Sequence, residues 1–83
     1  MKMSKEERQG LIEAVETQIE ANDPPETKLT YKRLKNLGYS DYDAKALISQ
    51  CISIEMFEII QDGEPFNPKR YAKNLAKLPG SPF

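Results

Sequence analysis

The 83-residue sequence contains no histidine, no tryptophan and a single cysteine. Without histidine the chain lacks the commonest general base, the side chain that titrates near neutral pH and the commonest zinc ligand. Zinc fingers, His-based triads and HExxH chemistry are excluded on that ground. The lone Cys51 has no intrachain partner, so there is no disulfide framework. Set among Leu47, Ile48 and Ile52 in a helical stretch, it is expected to be a buried, inert thiol. Long hydrophobic runs are missing too. The most apolar stretch, Ala44 to Ile60, is broken by Lys45, Ser49, Gln50, Ser53, Glu55 and Glu58, and no run reaches the roughly 18 residues of a membrane span. No apolar signal-peptide core follows the charged segment Met1 to Arg8. These absences imply a cytoplasmic location and no membrane partner. Strand-like alternation is found nowhere.

What is present reads as an all-α single domain over residues 1–83, with four helices at about 4–22, 24–37, 41–62 and 68–78 packed around the long third one. Each has its own start signal. Ser4-Lys5-Glu6-Glu7 is a capping box, in which a hydroxyl and a carboxylate satisfy orphan backbone donors. Asp23 is expected to cap the second helix, with Pro24 at its first position and Glu26 completing the box. Ser40 and Asp43 open the third, and Asn67-Pro68 the fourth, where Phe66 and Tyr71 stand at the positions of a hydrophobic staple. Gly38 and Gly63 supply stops. The expected inner stripes are Leu11, Ile12, Val15 and Ile19; Thr27, Thr30, Tyr31, Leu34 and Leu37; Ala44, Leu47, Ile48, Cys51, Ile52 and Ile59; and Tyr71, Leu75 and Leu78. Pro79 ends the last helix and leaves 79–83 as a candidate disordered tail.

The net charge of −1 conceals segregation: residues 4–22, 27–39, 40–62 and 64–83 carry −3, +4, −4 and +3. Lys28, Lys32 and Lys35 line one side of the second helix, and Lys69, Lys73 and Lys77 do so on the fourth. A nucleic-acid surface would use such stripes to release counterions. With a pI near 5.4 and no aromatic-basic interleaving, they read instead as solvated faces complementing oppositely charged neighbours, and no nucleic-acid partner is expected.

One residue breaks the pattern. Glu55 falls in the middle of the third helix's apolar arc, and Glu58 lies toward its edge. A carboxylate there must be paired, hydrogen-bonded or protonated. One reading is a metal or acid/base site of Glu55, Glu58 and a third acid such as Asp43. Two carboxylates three residues apart resemble half of a di-iron bundle site, but those sites use Glu-x-x-His pairs. The simpler reading is structural: Glu55 pairs internally with Arg33, Arg70 or a tyrosine hydroxyl and fixes the docking of the third helix. On that reading the chain has no catalytic residue, cofactor or metal.

Three segments carry a resemblance: Gln18-Ile19-Glu20-Ala21-Asn22-Asp23-Pro24-Pro25-Glu26; Arg33-Leu34 leading to Leu37-Gly38-Tyr39; and Glu55 with Asp62-Gly63-Glu64-Pro65-Phe66 and Arg70-Tyr71. Together they resemble the small bacterial helical family catalogued as domain of unknown function 1841, over about residues 10–79. The resemblance implies a helical fold without an assigned activity. Members of that family often carry histidines where this chain has Ile12 and Ala46, so no histidine-dependent site carries over and Glu55 is expected as a structural acceptor. Leu34-x-x-Leu37-Gly38-Tyr39-Ser40, followed by Ala44, Ala46 and Leu47, is also similar to the glycine-aromatic loop of ubiquitin-associated domains. That similarity implies a peptide-binding module, although the third helix is about twice as long as such domains permit.

The leading functional expectation is a non-enzymatic protein-interaction or structural module. Leu29, Met56, Phe57 and Ile60 fall outside the core arcs and form the candidate interaction surface, for an unknown protein partner or a homodimer. A carboxylate-based metal-binding protein or metal-dependent enzyme using Glu55 is the rival.

Overall fold

The computed structural model describes residues 4–83; Met1–Met3, the start of the charged N-terminal segment, lie outside the described residues. The chain forms α1 (Lys5–Ala21), α2 (Pro25–Asn36), α3 (Asp41–Asp62) and α4 (Pro68–Lys77). There is no strand among the described residues, and no helix is long and apolar enough to cross a membrane. The central α3 touches all three others, whereas α1 and α4 make no direct backbone-level contact.

The local signals explain most boundaries. Ser4 Oγ accepts the Glu7 N–H, Ser40 Oγ the Asp43 N–H, and Asn67 Oδ1 the Arg70 N–H, at 3.0–3.1 Å. α2 ends in a Schellman motif: the Gly38 N–H reaches the Lys35 carbonyl and the Tyr39 N–H reaches the Leu34 carbonyl. Gly38 sits at φ +102°, which explains why glycine occupies that position. α1 ends the same way, with Asn22 in the left-handed region at φ +52°. The Phe66–Tyr71 staple is present, with ring centroids 5.2 Å apart.

The start of α2 differs from expectation. Pro24 is the cap residue, Pro25 the first helical one, and no side chain caps the helix. The reason lies in the second proline. Pro25 pushes the residue before it out of the helical region, and Pro24 accordingly sits at ψ 153°. Asp23 is thereby moved one position too far out, and Glu26 one position short of closing a box.

Val15, Leu34, Ala44, Ile48, Cys51, Tyr71, Leu75 and Leu78 form the centre of the core. Two expected inner residues are exposed. Leu37 stands at the C-cap of α2, where the chain turns away. Ile59 lies on the core face of α3 but beyond the reach of the other helices. At the chain end Pro82 is buried and Phe83 exposed.

Lys45, the one base of α3, ties it to α1: Nζ donates to Glu16 Oε2 at 2.8 Å and to Asp41 Oδ2 at 3.0 Å. Tyr31 OH donates to Asp41 Oδ1 at 2.6 Å. The Tyr31 hydroxyl, then Lys45, hold the Asp41 carboxyl below the usual carboxylate range. The lysine stripes of α2 and α4, by contrast, form no ion pairs among the described residues. Their charge is not matched by contact with acidic neighbours, and the two acidic helices α1 and α3 pack on each other.

Burial pushes the Cys51 thiol up to about 12, outweighing the opposing pull of Lys77. In the native protein Cys51 therefore stays a thiol at pH 8 and should be inert to a disulfide-exchange reagent such as DTNB, reacting fully once the chain is unfolded in guanidinium. Stoichiometric labelling of the folded protein within minutes would contradict this burial.

Candidate functional site

Glu55 is 1% exposed and fully engaged. Oε2 accepts Arg70 Nε at 2.6 Å, while Oε1 accepts Arg70 Nη2 at 3.0 Å and the Asn67 backbone N–H at 2.8 Å. Two parallel guanidinium bonds make this a bidentate pair. The backbone bond adds a second function. In an ordinary capping box, a glutamate at the third helical position accepts the N-cap N–H. That position in α4 is Arg70, so the carboxylate is supplied from α3 instead. Glu55 thus closes the cap of a neighbouring helix at its positive end.

The opposite end of α4 is held in the complementary sense. Arg33 on α2 donates through Nη1 to the Leu78 carbonyl at 2.7 Å and through Nη2 to the Leu75 carbonyl at 3.0 Å. Of the three expected partners for Glu55, the structure selects Arg70; Arg33 serves as a C-terminal clamp. Between these ends the Tyr71 hydroxyl donates to Gln18 Oε1 at 2.8 Å, and Thr27 Oγ1 donates to the same oxygen at 2.7 Å. The two hydroxyls are 3.1 Å apart. They own two protons between them, enough for two of these three contacts at once. Burial raises the Tyr71 hydroxyl to about 12, partly opposed by its hydrogen bond with Thr27.

The acids proposed as a metal trio are not brought together. Asp43 lies twelve residues from Glu55 on the same helix, a rise of about 18 Å. Glu58 is directed toward Asp62 rather than to the groups that Glu55 holds. Among the described residues no group of three or more histidine, cysteine or acidic side chains is placed to hold a metal. Ala46, one of the two positions where the resembled family often has histidine, is about 13–14 Å along α3 from Glu55; it lines an open groove with Arg8, Tyr39, Tyr42, Leu47 and Gln50, of about 360 Å³. Ile12 is buried.

The apolar candidates divide into two groups. Met56, Phe57 and Ile60 are 47, 53 and 74% exposed, and Ile59, at 41%, joins them. At 100° per residue the four cover about 160° of the last two turns of α3. Ile52 and Glu55 on the core face are buried, whereas Ile59 one turn further on is not, so α3 outruns its neighbours. Its 22 residues compare with 17, 12 and 10 in α1, α2 and α4. Leu29 instead stands on α2, exposed on the side away from the buried Thr27, Thr30 and Leu34. Sequence reasoning misses Ile59 because helical phase assigns it to the core; the relative helix lengths are the signal that exposes it.

No family model, curated protein or solved structure matches the chain in comparison searches.

Two outcomes follow for these carboxylates. Glu55→Gln turns an amide donor toward Arg70 and should destabilise the fold by about 1–3 kcal/mol, lowering the thermal midpoint followed by circular dichroism, with the helical signal retained below it. Glu58→Gln should do the reverse near neutral pH. The hydrogen bond and repulsion of Asp62 raise the Glu58 carboxyl above its usual range, so its contribution to stability is full at low pH and is lost as pH rises through the raised value. The variant should therefore melt higher than the parent at pH 7, with the gap closing on acidification below the usual carboxylate range.

Proposed function

We propose that the chain is a non-enzymatic protein-interaction module of the cytoplasm, docking a protein partner on the apolar end of α3. The observation that carries this reading is the outward arc of Met56, Phe57, Ile59 and Ile60. Four large apolar side chains on adjacent turns form a contiguous surface of the kind that marks a binding face rather than scattered exposure. The anomalous carboxylate points away from catalysis: both Glu55 oxygens are already taken by Arg70 and Asn67. The resemblance to the bacterial helical family of unknown function 1841 implies a helical fold without an assigned activity.

The test is site-specific photo-crosslinking in cells. A crosslinker at Ile60 should give a discrete adduct that disappears with Phe57→Asp, and one at Lys32 should give none. Equal adducts at both positions, or none at Ile60, would defeat the reading.

A further inference from the structure

The outward side of α3 carries a notch in the half of the helix away from its apolar end. Tyr42, Ala46 and Gln50 follow one another at four-residue spacing and so stand in one row along the helix. The small residue is in the middle. Tyr42 and Gln50 are about 12 Å apart along the axis, and between their side chains there is room for one six-membered ring above Ala46. Lys45 and Ser49 share one flank of this row, and the reach of Lys45 to Glu16 places α1 on that flank. Arg8 of α1 closes the notch there, Leu47 stands on the other flank, and Tyr39, from the turn before α3, completes the open groove of about 360 Å³. Tyr39, Ala46, Leu47 and Gln50 are half-buried. The hydroxyls of Tyr31 and Tyr71 are bonded within the fold, whereas those of Tyr39 and Tyr42 have no such partner among the described residues.

The charge of the groove is set by α1. Arg8 lies one turn before the buried Leu11 and Ile12, so it extends the inward side of α1 with a guanidinium. Among the described residues neither Arg8 nor Lys5 forms an ion pair. Lys5 lines the hollow that continues the groove past Arg8 and Tyr42, and Glu6 and Glu7 line neither space. The first turns of α1 and α3 both border this hollow, and each helix start adds partial positive charge. The single acid of the lining is Asp43. We propose that the notch binds a small aromatic monocarboxylate, its ring over Ala46 between Tyr42 and Gln50 and its carboxylate on the Arg8 guanidinium. A tyrosine ring and an apolar floor suit an aromatic body. The planar fork of arginine matches a carboxylate with two parallel bonds. Asp43 limits the charge: one negative group held at Arg8 is accommodated, and a second is opposed. Ala46 and Phe57 are about 16 Å apart along the axis, so occupancy here does not require the apolar end of α3.

Amide chemical shifts of the isotope-labelled protein, followed by NMR during titration, provide the test. Phenylacetate should shift the amides of Arg8, Tyr42, Ala46 and Gln50 saturably, with a dissociation constant on the order of millimolar. Neutral phenylacetamide and aliphatic acetate should shift none of them over the same range. Phenyl phosphate, largely a dianion at neutral pH, should bind more weakly than phenylacetate. Arg8→Gln should weaken phenylacetate about fivefold or more, Ala46→Leu should abolish binding by filling the notch, and Phe57→Ser should leave it unchanged. Arg8 is exposed and Ala46 faces outward, so circular dichroism should show the helical signal retained in each variant. If Ala46→Leu fails to fold, Tyr42→Ala removes one wall of the notch and should weaken binding about fivefold. Absence of saturable shifts, equal binding of phenylacetamide or acetate, or indifference to Arg8→Gln and the notch variants would overturn the inference. Tighter binding of phenyl phosphate would overturn the carboxylate assignment, and shifts confined to Met56 through Ile60 would overturn the site.

Discussion

The arrangement of this bundle depends on one carboxylate. α4 has only ten residues, too few to persist as a helix unaided, and one face of it must be pressed into the core for Tyr71, Leu75 and Leu78 to be buried. Glu55 fixes where that helix begins: it takes the N-cap amide and the guanidinium of the third helical residue together. Arg33 fixes where it ends. The signs are matched to the helix dipole, anion at the amino end and cation at the carboxyl end, and both groups come from other helices. The orientation of α4 is therefore specified by charge, while its burial is driven by the apolar stripe.

Much of this architecture was legible in the amino-acid order. Serine and asparagine caps, the Phe66–Tyr71 staple and the glycine stops lie at the helix boundaries because each acts over three or four residues, a range that sequence spacing captures. The existence of a partner for Glu55 was equally legible, since a charge on an apolar arc requires one. Its identity was not. Arg33 and Arg70 are equally eligible by composition, and only the direction in which α4 returns across α3 decides between them. The Gln18–Thr27–Tyr71 cluster was invisible for a related reason: its members are 9 to 53 positions apart, and each is unremarkable alone. At the start of α2 the departure is local, because two adjacent prolines restrict each other and shift the cap by one residue.

Charge segregation along the chain acquires a different meaning in three dimensions. The strongly basic stripes of α2 and α4 face water, and the acidic α1 and α3 are neighbours, joined by Lys45. Net charges per segment do not predict which helices pair; the apolar stripes do that, and a few placed ions settle orientation. The surplus acid is left at the far end of α3, with Asp62 beside the uncovered Ile59 and Glu58 on the side of the helix away from the exposed arc. Unrelieved repulsion and exposed apolar area in one place reduce the stability of the free chain, a cost that natural proteins retain chiefly where another molecule removes it.

The amide oxygen of Gln18 has a further consequence for how the molecule comes apart. α1 and α4 do not touch along their backbones, yet both meet α2 at this one atom, through the Gln18 side chain, Thr27 and Tyr71. If any one of the three helices leaves, the two members left behind keep the contact between them and lose the others. Peeling off a single helix is thus penalised beyond its lost apolar contacts. The small bundle is built to melt as one cooperative unit rather than helix by helix.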